Sequence, residues 1–198
     1  MKLKQFVTIL LLVAALGIQA CSDDDTPPIE NVEEEITQVI LTFTNTQDAG
    51  DVVTAEWLDA DGAGGGTPVI DDIVLSANMN YELSVEFYNT LESPAENISE
   101  EVAEEAEEHM IFYEFSDAVF QDPDGNGNID NRDDAVNYND TDSDGLPLGL
   151  STDWVTSDLN ATGSFRLLLK HQPGIKSSTS SSADGETDVD VTFDITVQ

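Results

Sequence analysis

The chain has 198 residues, 41 of them Asp or Glu against six Lys or Arg, and a formal net charge of −35. That balance excludes nucleic acid as a partner, since binding it requires clustered Lys and Arg to displace counterions. It also repels anionic lipid headgroups and makes cations the natural counterparts of the chain's field.

In chain order, Lys2 and Lys4 precede an apolar run from Phe6 to Leu16, and Ile18-Gln19-Ala20-Cys21 closes it with a small residue before the chain's one cysteine. The run is shorter than the ~20 residues of a spanning helix. Charged start, apolar stretch and small-residue site form the pattern of a cleaved leader. These residues resemble a bacterial lipoprotein signal with its lipobox. The resemblance implies that residues 1–20 are removed and that Cys21 is acylated, which holds the protein on a membrane without a spanning helix. No second cysteine is then left for a disulfide, a zinc thiolate or a nucleophile. Ser22-Asp23-Asp24-Asp25 resembles the surface-export signal of lipoproteins from Bacteroidota-type bacteria, implying an outward-facing position on the outer membrane. The other reading is a solvated tether facing the periplasm. Residues 21–35, acidic and carrying Pro27 and Pro28, read as tether, and residues 36–198 as a single domain.

Period-2 alternation then predicts strands. Ile36–Thr44 is the first. In Asp51–Leu58, Val53, Ala55 and Trp57 share a side, and the Gly-rich Asp59–Gly66 is a turn. Thr67–Leu75 reads as extended. Tyr81, Leu83, Val85 and Phe87 face one way against Glu82, Ser84 and Glu86. Val189, Val191, Phe193, Ile195 and Val197 alternate with polar residues in the last strand, and Gly163–His171 reads as its hairpin partner. The Ser- and Gly-rich Gln172–Thr187 between them reads as a long exposed loop. One segment departs from this: Asn97 and Glu100 form a capping box, and Glu100–Met110 has helical composition, followed by the strand-like Ile111–Phe115. The expected fold is all-β, an antiparallel Ig-like β-sandwich with one inserted acidic helix at about 98–110.

Two patterns carry chemistry. Asp122-Pro123-Asp124-Gly125-Asn126-Gly127-Asn128-Ile129-Asp130-Asn131-Arg132-Asp133 resembles a twelve-residue calcium loop of the EF-hand type. Asp122, Asp124, Asn126, Asp130 and Asp133 occupy positions 1, 3, 5, 9 and 12, with Gly127 at the sharp turn and Asn128 offering its backbone carbonyl. Position 12 is Asp rather than Glu, and no helix clearly flanks the loop, so it is closer to the calcium loops of extracellular β-rich domains. Asp140, Asp142 and Asp144 repeat the start of that ladder before Gly145 and form a second candidate calcium site. The other pattern is Glu101, Glu105 and His109, spaced i, i+4, i+8 along a helix face. Carboxylate with imidazole suits Zn²⁺ or another first-row transition metal. The second histidine, His171, ends a predicted strand. If the two imidazoles meet, they can hold such a metal or a haem iron; a solvated helix face is the alternative. No G-x-S-x-G elbow, H-E-x-x-H motif or P-loop is present, so a non-catalytic protein is expected. Trp57 and Trp154 are the candidates for stacking on sugars.

The lipobox with its Asp run, Glu107-Glu108-His109, the Lys170-His171-Gln172-Pro173 corner and the closing Asp188–Val197 strand together resemble a group of short acidic lipoproteins of Bacteroidota-type bacteria. Some members carry a type 1 periplasmic binding fold label, which implies a longer chain with repeated β-α units that this sequence does not show. The group brings no defined activity. The expected function is a calcium-stabilised binding module of the cell envelope that captures a metal or haem for an outer-membrane transporter. The alternatives are a structural or adhesive surface module and a carbohydrate-binding protein.

Overall fold

The computed structural model describes residues 34–198. The leader, Cys21, the Asp run after it and the tether up to residue 33 lie outside the described residues. From Glu34 on, the alternating segments form strands β1 (Gln38–Asn45), β2 (Val52–Leu58), β3 (Val69–Ile70), β4 (Ile73–Leu75), β5 (Asn80–Asn89) and β6 (Glu96–Asn97). Helix α1 (Ile98–Glu104) follows, then β7 (His109–Phe115), β8 (Phe120–Asp122), β9 (Asn137–Tyr138), β10 (Ser151–Thr156), β11 (Ala161–His171) and β12 (Glu186–Val197). One sheet has the order β3-β2-β1-β5-β10-β8, with β6 beside β5 and β9 beside β10. The other has the order β4-β12-β11-β7.

The fold is an all-β sandwich. Val39, Leu41 and Phe43 of β1, and Tyr81, Leu83, Val85 and Phe87 of β5, are buried on the inner face of the first sheet. Facing them are Ile111, Tyr113 and Phe115 of β7, Phe165, Leu167 and Leu169 of β11, and the five apolar residues of β12. Each such side chain contributes roughly 1.5–3 kcal/mol on burial. Aromatic edges lock the centre: Trp154 meets Phe165 at 5.1 Å and Phe115 at 5.3 Å, both near-perpendicular. The Trp154 indole N–H donates to Thr152 Oγ1 at 2.7 Å. Trp154 is therefore a core residue and offers no platform for sugars; Trp57 is partly buried against the same core.

Three expectations are corrected. β4 runs parallel to β12, pairing Ile73 with Ile195, because the chain crosses from the edge of one sheet to the edge of the other over Asp71-Asp72 without reversing. The helix ends at Glu104, not near residue 110. Asn97 caps it as expected, accepting the Ser99 amide at 3.0 Å, but Glu105 already leaves helical geometry (φ −104°, ψ 35°). Its last turn holds no base, and Glu104, Glu105, Glu107 and Glu108 crowd the negative end of the helix dipole. His109 and Met110 instead join β7, where β11 supplies backbone partners. Finally, the Gln172–Thr187 connection is tied down. Gln172 is fully buried and its amide donates to the Ser181 and Asp184 carbonyls at 3.0 and 3.1 Å. The Lys176 ammonium, also buried, reaches the Ala106 carbonyl at 2.6 Å and Asp142 Oδ2 at 2.8 Å.

Candidate metal centre

β7 begins, and β11 ends, at one end of the second sheet. Their antiparallel register sets His109 directly opposite His171. Directly opposed residues share a face with their Cβ atoms about 5 Å apart, and here the rings stack with centroids 4.5 Å apart and planes 7° apart. His109 falls on the core-facing side, in step with Ile111, Tyr113 and Phe115, and both histidines are buried.

Carboxylates close over the pair from three parts of the chain. Glu105 comes from the end of α1. Glu34, read from composition as tether, lies in the folded unit with its side chain only 5% exposed, its Oε1 3.2 Å from His109 Nε2. Asp188 comes from β12. Strict alternation from Val189 would turn Asp188 to solvent, but the β11–β12 register slips between Leu169 and Lys170. This bulge turns the Asp188 side chain into the interior, 3.7 Å from His109 Nε2. One donor atom from each of Glu34, Glu105, His109 and His171 lies within 4.8 Å of all the others. Among the described residues this is the only place where three or more His, Cys, Asp or Glu ligand atoms converge so closely.

The donor set suits a small cation. His109 Nδ1 lies 3.2 Å from the Glu105 carbonyl. A carbonyl only accepts, so Nδ1 carries the proton and Nε2 is turned toward the carboxylates. A backbone carbonyl behind one ring nitrogen, with the other aimed at the centre, is the usual support of a metal-binding histidine. Glu34 Oε2 is buried with no hydrogen-bond partner among the described residues, a costly state for a carboxylate oxygen unless a cation or proton satisfies it. Two imidazoles and two carboxylates match zinc and its first-row neighbours. They do not fit a haem iron held between the two imidazoles: stacked rings 4.5 Å apart leave no room for a porphyrin between them. The haem expectation is corrected accordingly.

The electrostatics agree. Burial pushes the His109 ring toward neutrality, but contact with Glu34 and the charges of Glu34 and Asp188 outweigh it and hold its pKa above the ordinary value. Burial likewise raises Glu34, yet the contact with His109, its own backbone amide and the charges of both histidines keep it below the usual carboxylate range. Without a metal, a proton on His109 therefore holds the carboxylates together. Glu101 stands in this field rather than in the converging group. Its pKa is raised by burial and then by Glu34, Glu105 and Glu96. Of the expected set, Glu105, His109 and His171 meet. Glu34 and Asp188 complete the surroundings, and Glu108 Oε2 sits 3.4 Å from His171 Nε2.

The two Asp ladders are placed differently. In the first, Asp122 accepts from the Asn137 amide at 3.0 Å, Asn126 donates to Asp130 at 3.3 Å, and Asp124 and Asp133 are exposed. No three carboxylates of Asp122, Asp124, Asp130 and Asp133 converge as those of the His109 cluster do. The loop instead covers the edge of β7. The Asn128 amide donates to the Tyr113 carbonyl at 2.8 Å, its side-chain Oδ1 accepts the Tyr113 amide at 3.0 Å, and its Nδ2 donates to the Tyr138 hydroxyl at 2.9 Å. At Gly127 (φ 87°) any Cβ would fall 2.1 Å from the Tyr113 carbonyl oxygen. In the second ladder, Asp140 accepts the amides of Gly149, Leu150 and Ser151. Asp142 accepts those of Asp144 and Leu146 and pairs with Lys176, a cation already in place.

This assigns Asn128 a side-chain role where a calcium loop needs only its backbone carbonyl. Asn128→Ala strands the buried Tyr113 amide and is expected to cost about 1–3 kcal/mol, read as a lower denaturation midpoint with or without Ca²⁺. An unchanged midpoint would contradict the role.

No protein-family model matches the chain, and neither a curated protein nor a solved structure matches it. Fold and site define it as an all-β sandwich with a buried Glu/His cluster able to hold a metal ion.

Proposed function

We propose that this protein is a non-catalytic lipoprotein of the cell envelope, anchored through Cys21, that binds one divalent first-row transition-metal ion of the zinc class. Glu34, Glu105, His109 and His171 are the ligands, and the ion is carried for delivery to an outer-membrane transporter. The observation that carries the metal reading is the convergence of four donor atoms within 4.8 Å of one another, together with a buried Glu34 oxygen that has no hydrogen-bond partner among the described residues. The non-catalytic reading rests on supply: the chain's two histidines are both ligands, which leaves no imidazole for general base work. The envelope address rests on the lipobox resemblance. Titrating the purified protein with Zn²⁺ tests the proposal. Saturable binding of one ion per chain is expected, and only weak uptake in proportion to surface carboxylates would refute it.

A further inference from the structure

Beside the cluster a groove of about 390 Å³ opens between the start of the described chain, the end of β2 and β12. Glu34 and Asp188, the two carboxylates flanking His109, form its inner end, and Trp57, Asp59, Glu35 and Ala63 lie along its walls. The groove therefore connects the candidate ligands to solvent. Three observations suit it to a cation in transit. Glu34, its side chain 5% exposed, presents at the inner end an Oε2 with no hydrogen-bond partner among the described residues. Asp59 Oδ1, on the groove wall, is also buried without a hydrogen-bond partner among the described residues. Asp59 is held in place by its amide, which donates to the Thr37 carbonyl at 2.8 Å. Asp190, on the same wall, is already engaged: Arg166 binds both its oxygens at 2.8 Å. Of the remaining wall carboxylates Glu35 is exposed, and Asp59 is the one with a buried oxygen to offer an ion on its way.

We propose that the divalent ion reaches and leaves the Glu34–His109–His171 centre through this groove, with Asp59 as a transit ligand that is not part of the final coordination shell. The inference rests on the metal-binding reading above. A carboxylate that takes the ion briefly between water and the centre lowers the barrier in both directions, so Asp59 acts on rates more than on the final affinity.

The test separates equilibrium from kinetics in the full protein, using Zn²⁺ alone with a chromophoric chelator as acceptor. Asp59→Asn is expected to slow both uptake and release about tenfold while the equilibrium affinity changes by less than about threefold. Ala63→Trp, which narrows the mouth without changing charge, is expected to slow both in the same direction. Asp72→Asn removes one charge from the wall of a different cavity and is expected to leave the rates unchanged. If Zn²⁺ binds with one-to-one stoichiometry but Asp59→Asn and Ala63→Trp exchange at the parent rate, the route is wrong and the metal site stands. The route is equally wrong if Asp72→Asn slows exchange as much as Asp59→Asn, since the effect would then belong to the overall charge. If the parent protein binds no Zn²⁺, site and route fall together.

Discussion

His171→Ala is expected to lower Zn²⁺ affinity by at least about 100-fold, beyond the ~10–100-fold that follows loss of an outer-shell partner. The variant deletes one of only two nitrogen donors, and no other histidine exists to replace it. It is a cleaner test than His109→Ala. His109 lies between Glu34 and Asp188, and its removal would leave buried carboxylates without their cation, a loss typically of about 3–5 kcal/mol. Glu108→Gln is the graded control. That side chain is 38% exposed and touches His171 from outside the converging group, so it should cost about tenfold, the low end of the outer-shell range. Competitive titration of the three proteins against a zinc chelator reads the order directly. Equal affinities for parent and His171→Ala would remove the site.

The second large effect is the dependence of zinc stabilisation on pH. His109 titrates above its ordinary 6.5 in the fold. Its protonated ring therefore stabilises the metal-free protein fully below 6.5 and progressively less as pH rises through the raised folded value. Glu34 has the opposite sign: its contribution is present above the ordinary 4.5 and is lost as pH falls through its lowered folded value. Between these two limits, the metal-free site is at its most stable. Zinc reverses the trend on the alkaline side, because a ligating imidazole must give up its proton. The zinc-induced rise in melting temperature should be small near about pH 5.5 and approach its ceiling above about pH 8. With free ion at about a thousand times Kd that ceiling is about 4 kcal/mol. For a domain of this size it corresponds to roughly 8–16 °C. Calorimetry across this range checks it; a zinc effect that is flat with pH would mean carboxylates alone bind the ion.

Much of the sandwich is legible in the sequence because its strands alternate without interruption. Tyr81 to Phe87 and Val189 to Val197 have period 2, and a strand with one buried face needs nothing more to be recognised. The short β8, β9 and β10 are not legible, since their pairing depends on partners distant in sequence. The helix reads as too long because Val102, Ala106 and Met110 keep a helical stripe that is equally served by a turn and a strand. That stripe also bears on the site: it puts His109 on a helix with Glu101 and Glu105, whereas His109 starts β7 and meets His171 through strand register. The histidine pairing is therefore legible only as a condition, that the two imidazoles meet. Glu34 and Asp188 carry no usable signal. The first sits in an acidic, proline-containing stretch where every carboxylate looks solvated, and the second reaches the interior only through a bulge that shifts the alternation by one residue. The Asp ladders show the converse. Their spacing resembles calcium loops, but Asp140, Asp142 and the Asn128 side chain satisfy backbone amides, and ligand spacing alone does not distinguish an amide from an ion.

X-ray absorption at the zinc edge of the protein loaded with one equivalent of Zn²⁺ reads the ligands of the ion. The predicted shell is four light atoms at about 2.0–2.1 Å, no sulfur, and outer-shell scattering from two imidazoles. A shell of oxygen alone, without imidazole scattering, would contradict it.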